Sequence, residues 1–284
     1  MNWVCALGFC LVFVSCSPVS VPDQEPRFSI TFCDVGQGDA ALVRFSDSTT
    51  LLIDAGSYGS GIDTILTNRN IHVINDLAVT HAHEDHYGNA GLVCRQFTVE
   101  RVWLSARGTW PGDKAYAAFV RLVADTLGID TIVMFRGRQA PGGVSQRVTC
   151  LWPDTAAVIT ESDTCNALSL VLSISNGTCT ALMAADINFE SEKRLLDCPG
   201  ELSATILKAP HHGSKTSSST AFLAAVAPDA AVVSVGSGNP FGHPSDEAIA
   251  RLAQTNAVVL RTDRNGSITI YGKKGGGLLF DFDK

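Results

Sequence analysis

Charged residues are scarce in this sequence, and so is histidine. Only 17% of the 284 residues are charged while 45% are hydrophobic, which is the composition of a globular protein and excludes a disordered one. The formal net charge of −7 provides no generally basic surface. This argues against binding of nucleic acid by surface charge alone, but a local groove or a metal could still hold phosphate. No GxSxG sequence occurs, so the serine-nucleophile motif of α/β-hydrolases is absent.

The N-terminus contains an apolar stretch, Trp3 to Val14, that is too short for a membrane span of about 20 residues. It is typical of the apolar core of an export signal, although no basic residue precedes it. The small residues before Cys16 resemble the processing site of bacterial lipoproteins, in which that cysteine is lipidated. We therefore expect a signal peptide over 1–16 with a lipoprotein cysteine, followed by a proline-rich linker over 17–26. The protein is then exported, either as a membrane-anchored lipoprotein or into the periplasm or medium; a plain signal peptide or an unremoved anchor is the alternative.

Six cysteines follow this N-terminal region, and no two of them form a CxxC pair. An exported location permits disulfides, but the spacing does not select one of the 15 pairings. Several lie in apolar runs, where a free cysteine packs as a small hydrophobic residue. We expect packing roles first, disulfides second and metal ligation last for Cys33, Cys94, Cys150, Cys165, Cys179 and Cys198.

The sequence from residue 27 to 284 has no linker-like interruption and no internal repeat, so we expect one domain over this range. Short apolar runs between Gly- and Ser-rich turns predict strands, and apolar residues at helical spacing predict helices. Strands that come in clusters and then alternate with helices indicate two sheets between helical layers. The predicted strands are 27–35, 40–46, 49–56, 76–80, 148–152, 167–175, 178–185, 204–209, 230–235, 257–260, 267–271 and 278–282, and the predicted helices are 61–69, 112–128, 188–197, 216–226 and 245–254.

The stretch THAHEDHYGNA, residues 80–90, follows an apolar strand and holds three of the seven histidines. His81, His83 and His86 offer imidazole nitrogens, and Asp85 offers a carboxylate oxygen, all within one tight turn. A divalent metal such as zinc prefers this mixture of nitrogen and oxygen ligands. Histidines that merely face solvent are the alternative, but the spacing is that of metal ligands in a chain with little histidine elsewhere.

The pattern His81-x-His83-x-Asp85-His86 after an apolar strand resembles the signature of the metallo-β-lactamase superfamily. Other segments resemble, in the same order, the C-terminal hydrolase-like domain of ComEC, the bacterial DNA-uptake protein. The resemblance implies an α+β metallo-beta-lactamase fold, a four-layer αββα sandwich, for a hydrolase domain over 27–284. It also implies a free-standing relative without the transmembrane channel domain of ComEC. The matching segments are FCDVGQGDAALV (32–43), LLIDAG (51–56), THAHEDHYGNA (80–90), NALSLVLSI (166–174), LMAADI (182–187), LKAPHHGSKTSSS (207–219), SVGSGNPFGHP (234–244) and RTDRNGSITI (261–270).

The resemblance implies a centre with two divalent metal ions, zinc or, as the alternative, manganese. Such a centre needs roughly six or seven protein ligands, of which the first motif supplies four. No histidine occurs between residues 87 and 210, where many superfamily members have a further ligand, so the replacement must come from later strand ends. We assign His81, His83 and His212 to one metal, Asp85, His86 and His243 to the other, and Asp186 to both.

His211 is the alternative to His212, because the neighbour of a ligand often orients it instead of binding the metal. The unliganded histidine could protonate the leaving group, and we assign catalytic roles to Asp85 and His211. Other polar residues that match the family are expected to support the site. They could accept the spare ring N–H of a metal histidine, shape a loop, contact an anionic substrate or, in the case of the lysine, simply be a surface charge. This set is Asp34, Asp39, Asp54, Lys208, Ser214 and Asn239.

Three functions are compatible with the sequence. The first is a metal-dependent phosphodiesterase or nuclease that uses a metal-bound hydroxide and therefore needs no serine or cysteine nucleophile. The second keeps the same centre but acts on a cell-surface phosphoester or a lactone. The third is an exported accessory protein that binds DNA without turnover. The predicted partners are accordingly a phosphoester or nucleic-acid substrate and, through the lipid anchor, a membrane; the sequence leaves the oligomeric state open.

Overall fold

The computed structural model describes residues 28–106, 113–141, 147–154, 165–198, 200, 202–273 and 276–284. The predicted export signal at 1–16 and the predicted linker at 17–26 lie outside these residues and stay predictions. Within the described ranges, no helix combines the length and the apolar character that a membrane crossing requires.

Fourteen strands are present in the described residues, and they form two sheets. The strands are β1 (Ser29–Phe32), β2 (Ala41–Arg44), β3 (Thr50–Ile53), β4 (Val73–Val79), β5 (Thr98–Ser105), β6 (Asp130–Met134), β7 (Arg147–Trp152), β8 (Val171–Ser175), β9 (Thr180–Met183), β10 (Ile206–Lys208), β11 (Ala230–Val233), β12 (Val258–Arg261), β13 (Ile268–Gly272) and β14 (Leu278–Phe282). One sheet has the order β14-β13-β1-β2-β3-β4-β5-β6, and the other has the order β12-β11-β10-β9-β8-β7.

The five predicted helices are present, although the one predicted over 216–226 begins only at Thr220; three short helices, Glu84–Tyr87, Ala90–Gln96 and Thr262–Asn265, were not predicted. The side chains of Asn188, Ser219 and Ser245 accept hydrogen bonds from backbone N–H groups of the first turns of three helices. The predicted helix 112–128 is an α-helix that continues as one π-helical turn over Leu122–Thr126. The helices are α1 (Ile62–Asn68), α2 (Glu84–Tyr87), α3 (Ala90–Gln96), α4 (Lys114–Arg121), α5 (Phe189–Leu196), α6 (Thr220–Val226), α7 (Asp246–Ala253) and α8 (Thr262–Asn265).

The core consists of three apolar layers, which follow from the alternation of side chains along the strands. In β3, Leu51 and Ile53 face the second sheet, whereas Leu52 faces the helices that cover the first sheet. In β10, Ile206 packs between the sheets and Leu207 packs against the helices on the other side. The order of layers is therefore helices, sheet, sheet, helices, and the predicted four-layer α+β architecture is confirmed.

Candidate metal centre

Polar side chains gather at the carboxyl ends of parallel strands. Asp54 directly follows β3, and the HxHxDH motif begins two residues after β4; in the second sheet Asp186 follows β9, and the His211–His212 pair follows β10. Because β3 pairs parallel with β4, and β9, β10 and β11 pair parallel with one another, these ends lie at one edge of each sheet. The two edges meet, and this brings together residues that are far apart in sequence.

The HxHxDH motif forms a turn that leads into α2, which carries Asp85 and His86. The turn at 33–40 packs directly against this helix: the N–H of Asp39 donates to the backbone oxygen of Asp85 at 3.1 Å. Gly38 has φ +135°, and a Cβ at this position would collide with the same Asp85 oxygen. Only glycine permits this close approach, and the approach places the Asp39 carboxylate next to the histidines.

Three buried imidazoles share one arrangement, in which Nδ1 is bound to a protein oxygen and Nε2 is not. His86 Nδ1 lies 2.7 Å from Asp54 Oδ2, His212 Nδ1 lies 2.9 Å from the carbonyl oxygen of Ser234, and His81 Nδ1 lies 3.0 Å from Thr80 Oγ1. The Nε2 atoms of all three histidines are buried and have no hydrogen-bond partner. A buried polar atom without a partner is costly, and an imidazole held through Nδ1 with a free Nε2 is the usual arrangement of a metal-binding histidine.

The free Nε2 atoms point to two aspartates. His86 Nε2 and His212 Nε2 both lie 3.3 Å from Asp186 Oδ2, and His212 Nε2 lies 3.4 Å from Asp85 Oδ2. These contacts are close but lack hydrogen-bond geometry, since both Nε2 atoms remain unpartnered. Tetrahedral nitrogen and oxygen ligands of one zinc ion lie about 3.3 Å from one another, given bond lengths of about 2.0–2.1 Å. The spacing therefore fits the coordination of divalent metal ions.

Four overlapping groups of ligand atoms in the described residues are compatible with a metal ion, and their composition differs from the assignment made from sequence. His81, His86 and Asp186 form one group, and Asp85, His86 and His212 form a second; Asp39 joins Asp186 and His212 in a third, and Asp54 and His86 in a fourth. The structure thus places His212 with Asp85 and His86, whereas the sequence analysis assigned it to the metal of His81 and His83. The reason is that His212 comes from the second sheet and approaches from the side of Asp85.

The other histidines lie around this cluster. His83 is exposed, and its ring centroid is 4.7 Å from that of His81. His211 is half-buried; its Nε2 lies 3.2 Å from Asn166 Nδ2 and 3.9 Å from Asp186 Oδ2. The ring of His243 lies 5.6 Å from that of His211, and in the described part of the chain no candidate metal-ligand group includes His243. The described contacts therefore do not support the assignment of His243 to the metal of Asp85 and His86, and that assignment stays a prediction.

A sharp backbone turn orients the histidine pair in opposite ways. His211 and His212 both have left-handed backbone angles, with φ of 50° and 53°, and Gly213 continues the turn at 77°. Such angles are unfavourable for residues that have a Cβ and are typical of functional sites. The turn buries the His212 ring beside Asp186 and leaves the His211 ring next to Asn166.

Lys208 is buried, and it contacts the aspartates of the cluster. Its Nζ forms an ion pair with Asp39 Oδ2, lies 3.4 Å from Asp186 Oδ1 and donates to the carbonyl oxygen of Ala185 at 2.9 Å. The sequence analysis considered Lys208 a substrate contact or a surface charge. The structure shows neither, because Lys208 is 3% exposed and its charge is used inside the protein. Asp186 consequently has one oxygen held by Lys208 and one directed at the histidines.

The remaining residues of the supporting set occupy different places. Asp39 lies 3.5 Å from His212 Nδ1 and 3.8 Å from His86 Nδ1, beneath both rings. Asp34 pairs with Lys284 Nζ at 2.7 Å, and the Ser214 hydroxyl lies 3.2 Å from that of Thr216, so neither contact involves the cluster. Asn239 shapes the loop before His243, as described below.

The pKa shifts of the buried site residues indicate that the carboxylates of the cluster require positive charge next to them. Burial by itself would raise the pKa of Asp186, but His212, His86 and Lys208 outweigh it and hold that pKa well below its usual value. Burial would likewise lower the pKa values of His86 and His212, but the surrounding carboxylates, Asp186 above all, raise both well above the ordinary value. Burial and the charge of His86 hold the pKa of His81 well below its ordinary value, so its ring is neutral. A divalent cation supplies the required charge while the histidines are neutral ligands.

Two groups that contribute to the site were missed by the sequence analysis. The Thr80 N–H and hydroxyl both donate to Asp54, at 2.8 Å each, and thereby fix the carboxylate that holds His86. The carbonyl oxygen of Ser234 holds His212. Thr80 could have been found from its position directly before the motif, but a backbone carbonyl leaves no signal in the sequence.

Comparison with known proteins agrees with this geometry. Residues 33–237 match the model of the metallo-beta-lactamase superfamily. The chain is 26% identical over 284 residues to ComE operon protein 3 of Bacillus subtilis (strain 168), covering 93% of this chain and 35% of that protein. It is 29% identical over 268 residues to competence protein ComA of Neisseria gonorrhoeae, with the same two coverages. Both relatives are ComEC-type competence proteins, and the chain spans about a third of their length.

Solved structures show the same fold at low sequence identity. The metallo-beta-lactamase fold protein YhfI from Bacillus subtilis has a TM-score of 0.55 and 12% identity, covering 89% of this chain and 100% of that one. Zinc-bound PqqB from Methylobacterium extorquens has a TM-score of 0.52 and 14% identity, covering 82% of this chain and 87% of that one. At these identities the similarity establishes the architecture and nothing finer.

Proposed function

Because this chain belongs to the metallo-beta-lactamase superfamily and, within it, to the ComEC-type branch, we propose that it is a metal-dependent phosphodiesterase, with nuclease activity as its main form. One observation carries the proposal. Three buried Nε2 atoms, of His81, His86 and His212, have no protein partner, and Asp186 Oδ2 lies within 3.3 Å of two of them. This donor set fits zinc or manganese ions and not a light hard cation such as magnesium, which prefers oxygen ligands.

We propose ligands for two ions from the contacts above and, for His83, from its place in the motif beside His81. His81 and His83 would hold one ion, Asp85, His86 and His212 would hold the other, and Asp186 would serve both. This differs from the sequence assignment in moving His212 to the second ion. His243, which was assigned to the second ion, instead belongs to the rim of the site.

When bound, such ions would acidify a water molecule to a pKa near 7 and would neutralise charge that develops on the phosphate oxygens. The residues of this chain have separate roles. Asp54 and the Ser234 carbonyl hold His86 and His212 in the tautomer that leaves Nε2 free. His211 is half-buried, and its Nε2 lies 3.9 Å from Asp186 Oδ2; we propose that the protonated imidazole donates a proton to the leaving oxygen.

Metal removal and replacement test the activity directly. We expect the purified chain to cleave single-stranded DNA and a bis-aryl phosphodiester after addition of zinc or manganese, and to lose both activities in excess chelator. Cleavage should return when the metal is restored. Bound metal without turnover of either phosphodiester, together with binding of DNA, would contradict the enzyme and support the accessory-protein function instead.

A cell-surface phosphoester, or a lactone, is the second candidate substrate. It is favoured by the net charge of −7 and by the lipoprotein-like N-terminus, which together suit a protein at a membrane surface better than one that wraps DNA. The ratio of kcat/KM for DNA to that for small phosphoesters and lactones distinguishes the two. A ratio far below one would favour a small phosphoester or lactone as the substrate and would contradict the nuclease.

Localisation follows from the N-terminal sequence as a separate proposal: the chain is exported and anchored through a lipid on Cys16. We expect the wild-type protein in the membrane fraction of bacteria that express it, and the Cys16→Ser variant in the soluble exported fraction or unprocessed. Cys10→Ser is the matched control, because Cys10 lies inside the apolar stretch. Equal fractionation of the two variants, with no lipid on the N-terminus by mass spectrometry, would indicate a plain signal peptide or an unremoved anchor.

A further inference from the structure

Two aromatic rings on loops of the metal site are exposed to solvent. Tyr58 is 66% exposed and Phe241 is 64% exposed, more than any other large hydrophobic side chain that the structure describes. Tyr58 follows β3 in the first sheet, and Phe241 follows β11 in the second. Each loop also carries site residues, so these rings flank the centre and are not scattered over the surface.

The loop of Phe241 is rigid, because the side chain of Asn239 holds it together. Asn239 Nδ2 donates to the carbonyl oxygens of Gly236 and His243, at 2.9 and 2.6 Å. Its Oδ1 accepts from the N–H groups of Phe241 and His243, at 3.2 and 3.1 Å. Four hydrogen bonds of one side chain thus fix the backbone that carries the exposed ring, and a fixed backbone reduces the entropy that binding a partner costs.

Phe241 is also connected to the centre by a row of rings. Its ring lies 6.0 Å from that of His243 with an interplanar angle of 23°, and His243 is 5.6 Å from His211. His211 in turn lies 3.9 Å from Asp186. A flat group stacked on Phe241 would therefore lie beside the histidines of the rim, a few side chains from the candidate metal ligands.

The loop of Tyr58 is fixed in the same way, by Asn89. Asn89 Nδ2 donates to the carbonyl oxygen of Ser57 at 2.7 Å, and its Oδ1 accepts from the N–H of Gly59 at 3.2 Å. The N–H of Tyr58 itself donates to Glu84 Oε1 at 2.7 Å, and Glu84 belongs to the HxHxDH motif. The second exposed ring is thus attached to the motif by its backbone.

We propose that Phe241 and Tyr58 bind unpaired nucleobases on either side of the phosphodiester that is cleaved, so that the substrate is a single strand. This inference rests on the proposed phosphodiesterase function. Stacking on aromatic rings requires an exposed base face, which a duplex does not offer, and it tolerates any sequence. The net charge of −7 also provides no generally basic surface, on which most strand binding depends. Stacking therefore supplies affinity that phosphate contacts do not, and binding depends little on salt.

The test compares a labelled single-stranded oligonucleotide with a strand of equal length in which tetrahydrofuran abasic sites replace the bases. We expect Phe241→Ala to raise KM for the base-bearing strand about 5- to 150-fold, the range of one lost base stack, and to leave KM for the abasic strand unchanged. Phe241→Trp should restore the wild-type value, and Tyr58→Ala should have a similar but separate effect. Phe282→Ala is the matched control, because Phe282 is an exposed aromatic residue on β14, outside the site loops.

Fluorescence anisotropy of the same two strands separates this inference from the proposed function, because it requires no turnover. In one outcome, the wild-type protein cleaves neither strand but binds the base-bearing strand more tightly, and Phe241→Ala removes this difference in affinity. That outcome supports the stacking surface and contradicts the proposed phosphodiesterase activity. If Phe241→Ala affects both strands equally or neither, the ring supports His243 or serves a protein partner, and the inference is overturned. A preference of the wild-type protein for duplex DNA would overturn it as well.

Discussion

Asp186→Asn is expected to lower phosphodiester hydrolysis by about 10³-fold or more and to reduce the number of bound metal ions. Asp186 Oδ2 lies 3.3 Å from both His86 Nε2 and His212 Nε2. An amide has nearly the same shape but no negative charge, and an N–H₂ group directed at the imidazoles cannot bind a cation. Because metal ions contribute several kcal/mol of charge stabilisation in the transition state, the loss of this ligand removes most of the rate.

The measurement combines metal content, isothermal titration with zinc and the DNA cleavage assay. Asp125→Asn is the control, since Asp125 is exposed and the substitution removes the same charge. We expect two ions for this control and at most one tightly bound ion for Asp186→Asn. An Asp186→Asn variant that binds two ions with wild-type affinity would contradict the ligand assignment even if its activity fell.

The location of the site could be predicted from the sequence, because it depends on strand ends. An apolar strand followed by His81-x-His83-x-Asp85-His86 has a local pattern, and Asp54 and Asp186 likewise come one and three residues after apolar strands. Parallel strands of one sheet end at the same edge, so the residues after them meet whatever the intervening loops do. This is why residues separated by over a hundred positions could be assigned to one cluster.

The distribution of ligands could not be predicted, because it depends on backbone angles. Which of His211 and His212 faces Asp186 is determined by consecutive left-handed residues, and only glycine at Gly213 has a sequence signal for such angles. His243 is 31 to 162 positions from the other candidate ligands in sequence, and its place at the rim depends on the loop that Asn239 holds. A lysine is usually found at the surface, but Lys208 is buried between Asp39 and Asp186, which are distant from it in sequence.

Two strands of the first sheet were also missed, for a similar reason. β5 is buried on both faces in its second half, from Val102 to Ser105, so it lacks the alternation that marks a strand with one exposed face. β6 is an edge strand with mostly exposed or partly exposed residues, and its apolar pattern is weak. Both strands are recognisable only from the sheet that they complete.

Lys208→Met is expected to destabilise the metal-free protein by about 3–5 kcal/mol, the cost of removing one partner of a buried ion pair. Methionine has a similar length and packs in the same space, but it leaves Asp39 without its ion pair and Asp186 Oδ1 without its cation. The pKa of Asp39, about 2, shows how strongly this environment favours the carboxylate: burial would raise the pKa, and Lys208 and His212 outweigh that effect. Urea denaturation in excess chelator measures the change in the free energy of unfolding.

Lys193→Met provides the control for Lys208→Met. Lys193 pairs with Asp197 at 2.9 Å on the exposed face of α5, and solvent screening leaves exposed pairs of this kind with little effect on stability. Lys208→Arg is not expected to restore stability, because the guanidinium group is larger and planar and cannot occupy a site shaped for an ammonium group. Equal unfolding free energies for Lys208→Met and Lys193→Met would show that the buried lysine is dispensable.

A double variant separates the loss of an ion pair from a general defect in packing. If Lys208 compensates buried carboxylates, Asp39→Asn should reduce the loss of unfolding free energy that Lys208→Met causes, because the uncompensated charge is then absent. The two changes should couple by roughly 0.5–3 kcal/mol, the range for contacting residues. Strict additivity would assign the effect to packing alone. Zinc should stabilise Lys208→Met less than the wild-type protein, because Asp186 is then free to turn away from the imidazoles. Since the fold no longer fixes the position of Asp186 Oδ2, the binding of both ions is weakened.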